Sequence, residues 1–438
     1  MLGKRIWILA VVLLLTAATG TAAALSDKEK LGRYVFFDEK MSVNQNQACA
    51  ACHGPQVGYT GPESIINVLG SVYEGSIAGR FGNRKPPAAA YAGDSPVLHY
   101  NTSLGSWVGG MFWDGRATGL IMQDPLAEQA KGPFLNPLEQ ALPDAACVVY
   151  RIATSNYKNL YKKAWDGNIF TIEWPEDINV VCSQENVMVK LSPEDRTKVV
   201  TAYDNTARSI AAYERSKEVS SFTSRYDDYL KGNTELTPQE MMGLDLFKGK
   251  AKCGNCHVPP LFTDYTYDNI GIPKNPLNPF YYESLWNEKW ENFNKDGLNW
   301  VDYGLGGYLK STGSSQDVYQ KEMGKFKVPT LRNVDKRPDP SFIKAYGHNG
   351  YFKSLELIVH FYNTRDTLPM CDPQLTLPPQ PGVNCWPAPE VSENMNTNEV
   401  GDLKLTSNEE DAIVAFLKTL SDRDDCKDDG CRTKDKNH

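Results

Sequence analysis

Two short runs in this sequence carry residue types that can anchor a metal-bearing group: Cys49-Ala50-Ala51-Cys52-His53 and Cys253-Gly254-Asn255-Cys256-His257. Two thiols separated by two residues can each add to a haem vinyl group, and the adjacent histidine then reaches the iron from the proximal side. A zinc knuckle and a thioredoxin-like thiol pair are the rival uses of this spacing. Both fit poorly with a histidine directly after each motif and with an export signal at the N-terminus. The motifs therefore predict two covalently attached c-type haems, held by Cys49, Cys52, Cys253 and Cys256, with His53 and His257 as axial ligands. The sixth position on each iron decides the chemistry, because a filled position makes an electron carrier and an open one admits peroxide or oxygen. Spacing alone does not say which of His99, His348, His360 and His438 reaches an iron.

The elements that must position these motifs read as helices. Each motif follows an apolar segment introduced by a glycine, Leu31-Gly32-Arg33-Tyr34-Val35-Phe36-Phe37 in one half and Gly243-Leu244-Asp245-Leu246-Phe247 in the other, which suggests an old duplication with one haem per half. Between them Val199, Val200, Tyr203, Ala207, Ile210 and Ala211 recur at helical spacing over 196–213, opened by Ser192-Pro193-Glu194 as cap and first turn. A second start signal, Thr237-Pro238-Gln239-Glu240, leads a helix into the second motif. Strand-like alternation is scarce, so the expected fold is mainly α: two cytochrome c-like haem domains with long loops and little β. The domains are expected at 25–220 and 221–421, with the boundary near 220–236. The stretch Asn275–Gly313, rich in Asn, Trp, Tyr and Gly without helical period, reads as a long surface insertion. Its Trp286, Trp290 and Trp300 are read as packing anchors before docking or hole-hopping residues.

Bulk properties narrow the function classes. Lys4 and Arg5, an apolar run from Ile6 to Leu15 and the small residues ending at Ala22-Ala23-Ala24 read as a signal peptide over 1–24, directing the chain to the periplasm. The alternative is an uncleaved N-terminal anchor. The formal charge is −8 and becomes two units more negative when Lys4 and Arg5 leave, which argues against nucleic acid and anionic lipid as partners. Residues 422–438 read as a charged, solvated tail. Outside the haem motifs stand Cys147, Cys182, Cys371, Cys385, Cys426 and Cys431. An even set in an oxidising compartment suggests disulfides, and sequence proximity favours Cys147–Cys182, Cys371–Cys385 and Cys426–Cys431 among the roughly 15 ways of pairing six cysteines.

Several runs resemble the bacterial di-haem cytochrome c peroxidases and their MauG-type relatives, over about Leu31 to Leu420. They are Phe36-Phe37-Asp38, Phe112-Trp113-Asp114-Gly115-Arg116, Gln129-Ala130 with Pro133 and Glu139, Tyr229-Leu230-Lys231-Gly232, Leu261-Phe262-Thr263-Asp264 and Phe326-Lys327-Val328-Pro329-Thr330-Leu331-Arg332-Asn333. The resemblance implies that the N-terminal haem is the peroxidatic one. Gln129 and Glu139 then correspond to its distal residues, with Glu139 as the general acid–base that moves the proton of H2O2. The alternative for Glu139 is a surface residue following Pro137. Trp113 would be the tryptophan between the haems, an electron or hole relay, or else a buried core aromatic; about six extra residues separate it from Gln129 compared with the peroxidases.

Two positions separate the subgroups of that family. The peroxidases carry a histidine that blocks the peroxidatic haem, whereas Ser76 to Ala90 here contains none; His99, beyond that stretch, is expected to be structural or pocket-lining. At the second haem the resemblance matches Tyr362, in Leu355-Glu356-Leu357-Ile358-Val359-His360-Phe361-Tyr362, to the tyrosine of MauG-type enzymes where peroxidases have methionine; His360 and Met370 are the alternatives. The expectation is a MauG-type enzyme, similar to an MbnH-like branch, that uses H2O2 and a high-valent di-haem state to oxidise a residue, a tryptophan by that resemblance, of a partner protein. The competing readings are a peroxidase reducing H2O2 with electrons from a small cytochrome or cupredoxin, and a non-enzymatic di-haem electron carrier. The family also implies a calcium ion (Ca2+) between the domains, where this sequence has Lys85 near Asn83.

Overall fold

The computed structural model describes residues 24–283, 293–372 and 378–423. The expected leader, apart from its last residue, lies outside the described residues, as do Trp286, Trp290, the Cys426–Cys431 pair, His438 and the tail from 424 onward. Among the described residues no helix is long and apolar enough to cross a membrane.

The chain is mainly helical, with short antiparallel pairs at His99–Asn101 with Ser106–Val108 and at Tyr267–Asp268 with Phe326–Lys327. Helices α1 (Asp27–Phe36), α2 (Pro125–Leu135), α3 (Ala145–Thr154) and α4 (Pro193–Arg215) surround one apolar cluster, running from Leu31 to Val219. A second cluster, from Tyr226 to Leu420, is built on α5 (Pro238–Lys248), α7 (Leu355–Thr364) and α8 (Ser407–Lys418). The caps follow the sequence signals. Ser192 accepts from the Asp195 amide at the start of α4, and Thr237 with Glu240 forms a capping box on α5.

The two halves repeat one packing motif. In the first, α1 crosses α4 so closely that a Cβ on Gly32 would lie 1.9 Å from the Ser209 carbonyl oxygen; in the second, α5 crosses α8 with a Cβ on Gly243 1.9 Å from that of Ala412. Only glycine permits this approach. Four residues on, each crossing carries an aromatic pair, Phe36 with Tyr213 at 5.6 Å and Phe247 with Phe416 at 5.2 Å between ring centroids. A third ring completes each set, Tyr59 and Phe262, both in left-handed backbone at φ 58° and 56°.

Cys147–Cys182 and Cys371–Cys385 are disulfides, as proximity suggested. The stretch 275–313 differs from its expectation as a surface insertion. It contains helix α6 (Gly304–Ser311), and Asn275, Asn278, Phe280, Tyr281, Asn294 and Asp302 are buried. Its asparagines do the anchoring, since the Asn275 amide donates to the carbonyls of Gly70 and Asn349 and that of Asn278 to Asn83. Trp300 packs on Phe280 at 5.1 Å, the role of an anchor.

Candidate active site

Both motifs fold into a single 3-10 turn, Cys49–Ala51 and Cys253–Asn255, leaving the four thiols free of any disulfide. The histidines are prepared alike. His53 Nδ1 lies 3.1 Å from the Tyr59 carbonyl and His257 Nδ1 2.9 Å from the Phe262 carbonyl. A carbonyl only accepts, so Nδ1 carries the proton and Nε2 keeps its lone pair for a metal. Burial, only partly offset by that hydrogen bond, lowers His53 to about 4 and pushes His257 down as well, so both rings are neutral. Burial also raises the thiols of Cys49, Cys253 and Cys256 to about 12. Two free thiols two residues apart, with a neutral histidine directly after them, match the pattern of thioether attachment to a haem. The residues present therefore fit two c-type haems.

Beside the second motif is a cavity of about 230 Å³, lined by Cys253, Cys256, His257, Tyr362, Trp113 and His348 among others. Tyr362 projects into it from α7. His360, two residues earlier, is turned away and holds the Glu410 carboxylate at 3.0 Å, and Met370 is 63% exposed. Of the three candidate ligands Tyr362 alone lines the cavity. Burial, together with the nearby Cys253 and Cys256, holds its phenol well above the usual range, so ionisation there needs a cation such as ferric iron.

Gln129 sits half-buried on α2, and its side chain has no hydrogen-bond partner among the described residues. Just past the helix, Asn136 shapes a turn in which its side-chain carbonyl accepts from the Leu138 amide and its Nδ2 donates to Glu139 Oε1 at 3.0 Å. Glu139 is close enough to Cys49 and Cys52 to raise both thiols. Burial raises its own carboxyl, and the Arg116 guanidinium only partly counters this. His99 is exposed, its Nδ1 on the Val97 carbonyl, and so neither lines a pocket nor supports the site; the hairpin Asn101–Ser106 carries it to the surface.

Trp113 is buried in the seam between the halves, its Nε1–H donating to the Lys85 carbonyl at 2.8 Å. Around it stand residues the motifs did not single out. His348 stacks on Phe326 at 3.5 Å and meets the Trp113 ring edge-on at 6.5 Å. Arg84 bridges Asp114 at 2.7 Å and Asp302 at 2.6 Å, both carboxylates buried. Burial works to raise both carboxyls, but Arg84 outweighs it and holds them below the usual range. The Asp114-Gly115-Arg116 run was the one sequence signal for this cluster. Asp302 gave none, because its partner is distant in sequence.

At Lys85, where the resemblance places calcium, a lysine ammonium stands in the place of a cation. The Lys85 ammonium donates to Thr60 Oγ1 at 2.9 Å and to the Pro86 carbonyl at 3.0 Å. Lys344 fills another cage of carbonyls, those of Val57, Asn333 and Lys336, and Asp114 and Asp302 are paired with Arg84. Among the described residues the one cluster with metal-ligand geometry, Cys256, Asp268 and Glu399, includes a haem-motif thiol.

Comparison with known proteins gives a consistent result. The family described as di-haem cytochrome c peroxidase matches residues 26–235. The methylamine utilization protein MauG of Paracoccus denitrificans is 31% identical over 433 residues, covering 96% of each chain. The cytochrome c551 peroxidase of Nitrosomonas europaea is 25% identical over 337 residues, covering 76% of this chain and 72% of its own. Among solved structures, the diheme peroxidase BthA of Burkholderia thailandensis superposes with a TM-score of 0.66 at 26% identity, covering 90% of this chain and 86% of that one.

Proposed function

Because the chain belongs to the di-haem cytochrome c peroxidase and MauG family, we propose that it is a periplasmic MauG-type oxidoreductase that spends hydrogen peroxide on oxidising a tryptophan of a partner protein. The observation that carries the MauG-type assignment is Tyr362, which lines the same cavity as Cys253, Cys256 and His257. A phenolate oxygen is a hard anionic donor, unlike the thioether of methionine, and favours the higher oxidation state of an iron it binds. Such a site suits withdrawal of electrons from a residue as hard to oxidise as tryptophan.

In this reading Cys49 and Cys52 hold the first haem and Cys253 and Cys256 the second, with His53, His257 and Tyr362 as protein ligands to iron. When bound, the haems supply the iron that accepts peroxide and the oxidising capacity drawn from it. The protein's own share is proton handling and positioning. Glu139 Oε2, the oxygen not held by Asn136, takes the proton of H2O2 and returns it to the departing oxygen, so that one carboxyl serves as base and then acid. The raised affinity of Glu139 for a proton matches that double duty. The Gln129 amide, without a partner among the described residues, is free to orient the peroxide. Trp113, fixed by Lys85 and shielded from water, is the oxidisable ring between the two pockets. The test is to treat the protein with H2O2 in the presence of candidate partner proteins and map oxygen incorporation by mass spectrometry. Incorporation at a partner tryptophan that disappears in Tyr362→Met supports the reading. Steady turnover of peroxide with a reduced cytochrome and no partner oxidation contradicts it.

A further inference from the structure

The repeated packing motif contains one chemical difference between its halves. In the C-terminal half the three rings around the crossing are Phe247, Phe262 and Phe416, with centroids 5.2 to 6.2 Å apart. In the N-terminal half the corresponding rings are Phe36, Tyr59 and Tyr213, at 5.6 to 6.5 Å. The scaffold packs with phenylalanine, so the two added hydroxyls are not needed to fill space. They are, however, connected. Tyr59 Oη lies 3.2 Å from Tyr213 Oη, and the Tyr213 hydroxyl donates to Glu218 Oε1 at 3.0 Å. A phenol has one proton, so Tyr59 must be the donor to Tyr213. Glu218 also pairs with Arg33 at 2.8 Å and is 38% exposed at its side chain. At the other end, the Tyr59 carbonyl accepts from His53 Nδ1. The result is a line from the proximal ligand of the first haem, through two buried phenols, to a carboxylate in water.

We propose that Tyr59 and Tyr213 form a redox-active pair that supplies one electron to the peroxide-oxidised N-terminal haem site when no partner protein is docked, with Glu218 as the proton acceptor. It rests on the reading of the N-terminal haem as the peroxide site. Reduction of H2O2 to two waters takes two electrons and two protons, the protons being drawn from solvent. One electron comes from Tyr213 by way of the Tyr59 segment and His53, and the other from the rest of the di-haem site. The Tyr213 O–H bond breaks, its proton goes to the Glu218 carboxylate and on to solvent, and a neutral tyrosyl radical remains. Both phenols are buried, and burial keeps the Tyr213 phenol protonated. An electron cannot leave such a phenol cheaply unless its proton leaves too, and the 3.0 Å contact to Glu218 provides that exit. Trp113, whose indole N–H faces a backbone carbonyl rather than a base, has no such acceptor.

The test is freeze-quench electron paramagnetic resonance of the full haem-loaded protein after one equivalent of H2O2, without partner or donor, using ring-deuterated tyrosine. The expected result is a radical signal narrowed by the tyrosine label. It should be lost in Tyr213→Phe, in which the oxidised optical state also decays more slowly, and weakened in Glu218→Gln. Because the C-terminal half carries phenylalanine at both places, Tyr213→Phe and Tyr59→Phe should fold, and unchanged denaturation midpoints would verify this. A protein that reacts with peroxide but gives no tyrosyl signal, or one whose signal persists unaltered in Tyr213→Phe, overturns the proposal while leaving the peroxide site intact. A protein that does not react with peroxide at all overturns both.

Discussion

Replacing Arg84 by methionine is the sharpest way to probe how the seam is held. Arg84 is the shared partner of two buried carboxylates, at 2.7 Å from Asp114 and 2.6 Å from Asp302, with side-chain exposures of 10%, 8% and 4% for the three residues. The two acids are not equally stranded when it goes. Asp114 keeps Arg116 at 2.9 Å, itself 39% exposed, while Asp302 keeps the Gly304 amide at 3.0 Å and the influence of His348, with no second ion pair among the described residues. The loss therefore falls mainly on Asp302. Leaving one buried charge uncompensated costs about 3–5 kcal/mol, and the full loss should be read as a shift in the urea midpoint of the haem-loaded protein. Arg84→Met with Asp302→Leu removes both charges and should recover most of the loss, because the penalty lies in the unpaired charge and not in the missing pair. Asp114 adjoins Trp113, so the single variant should also weaken any optical coupling between the haems. If Arg84→Met unfolds within about 1 kcal/mol of the parent, or the double variant is no better than the single, Arg84 does not clamp the seam.

Glu139→Gln should slow the reaction with H2O2 by about 10²–10⁴-fold, the usual contribution of a general acid–base. Stopped-flow rates that stay within a few-fold would remove Glu139 from that role. The same carboxyl, raised by burial, is ionised only above the ordinary glutamate range, so the parent rate should climb with pH through an apparent pKa higher than 4.5; a profile flat across that range contradicts the assignment. Gly243→Ala places a Cβ 1.9 Å from the Ala412 carbonyl oxygen. It should cost about 1–3 kcal/mol or more by overpacking despite the better helix propensity of alanine, whereas a neutral denaturation curve would mean that α5 and α8 cross less closely. Lysine ammonium groups fill the seam cages, so excess calcium or a chelator should leave the thermal midpoint unmoved. A rise with calcium would show a site that these lysines do not occupy.

How far the sequence reaches depends on whether a residue's partner is near it in the chain. The turns at Cys49 and Cys253, the caps at Ser192 and Thr237 and the 23-residue helix α4 are local events, set by spacing and by one or two hydrogen bonds, and they are legible directly. The disulfides Cys147–Cys182 and Cys371–Cys385 close short loops and obey the same logic. Gly32 and Gly243 hint at a duplication in sequence, but what they permit, a helix crossing at carbonyl contact, exists only once α4 and α8 arrive from far along the chain. The segment 275–313 misleads for the opposite reason. Its asparagines look like loop residues, and only their long-range bonds to Gly70, Asn83 and Asn349 turn it into part of the wall. Arg84 and Asp302 are invisible as site residues because neither type nor spacing marks them, while His348 stands out only as one histidine among several and Lys85 only as the place of a calcium ion; their roles come from meeting around Trp113.

The optical and near-infrared spectrum of the oxidised protein, before and after one equivalent of H2O2, in the parent and in Tyr362→Met, tests the MauG-type assignment most directly. A high-spin ferric haem at rest is expected, with rapid reaction with peroxide and a near-infrared charge-resonance band that is absent from the variant. Two low-spin haems that ignore peroxide until one of them is reduced would contradict that assignment and make the protein a cytochrome c peroxidase of the ordinary kind.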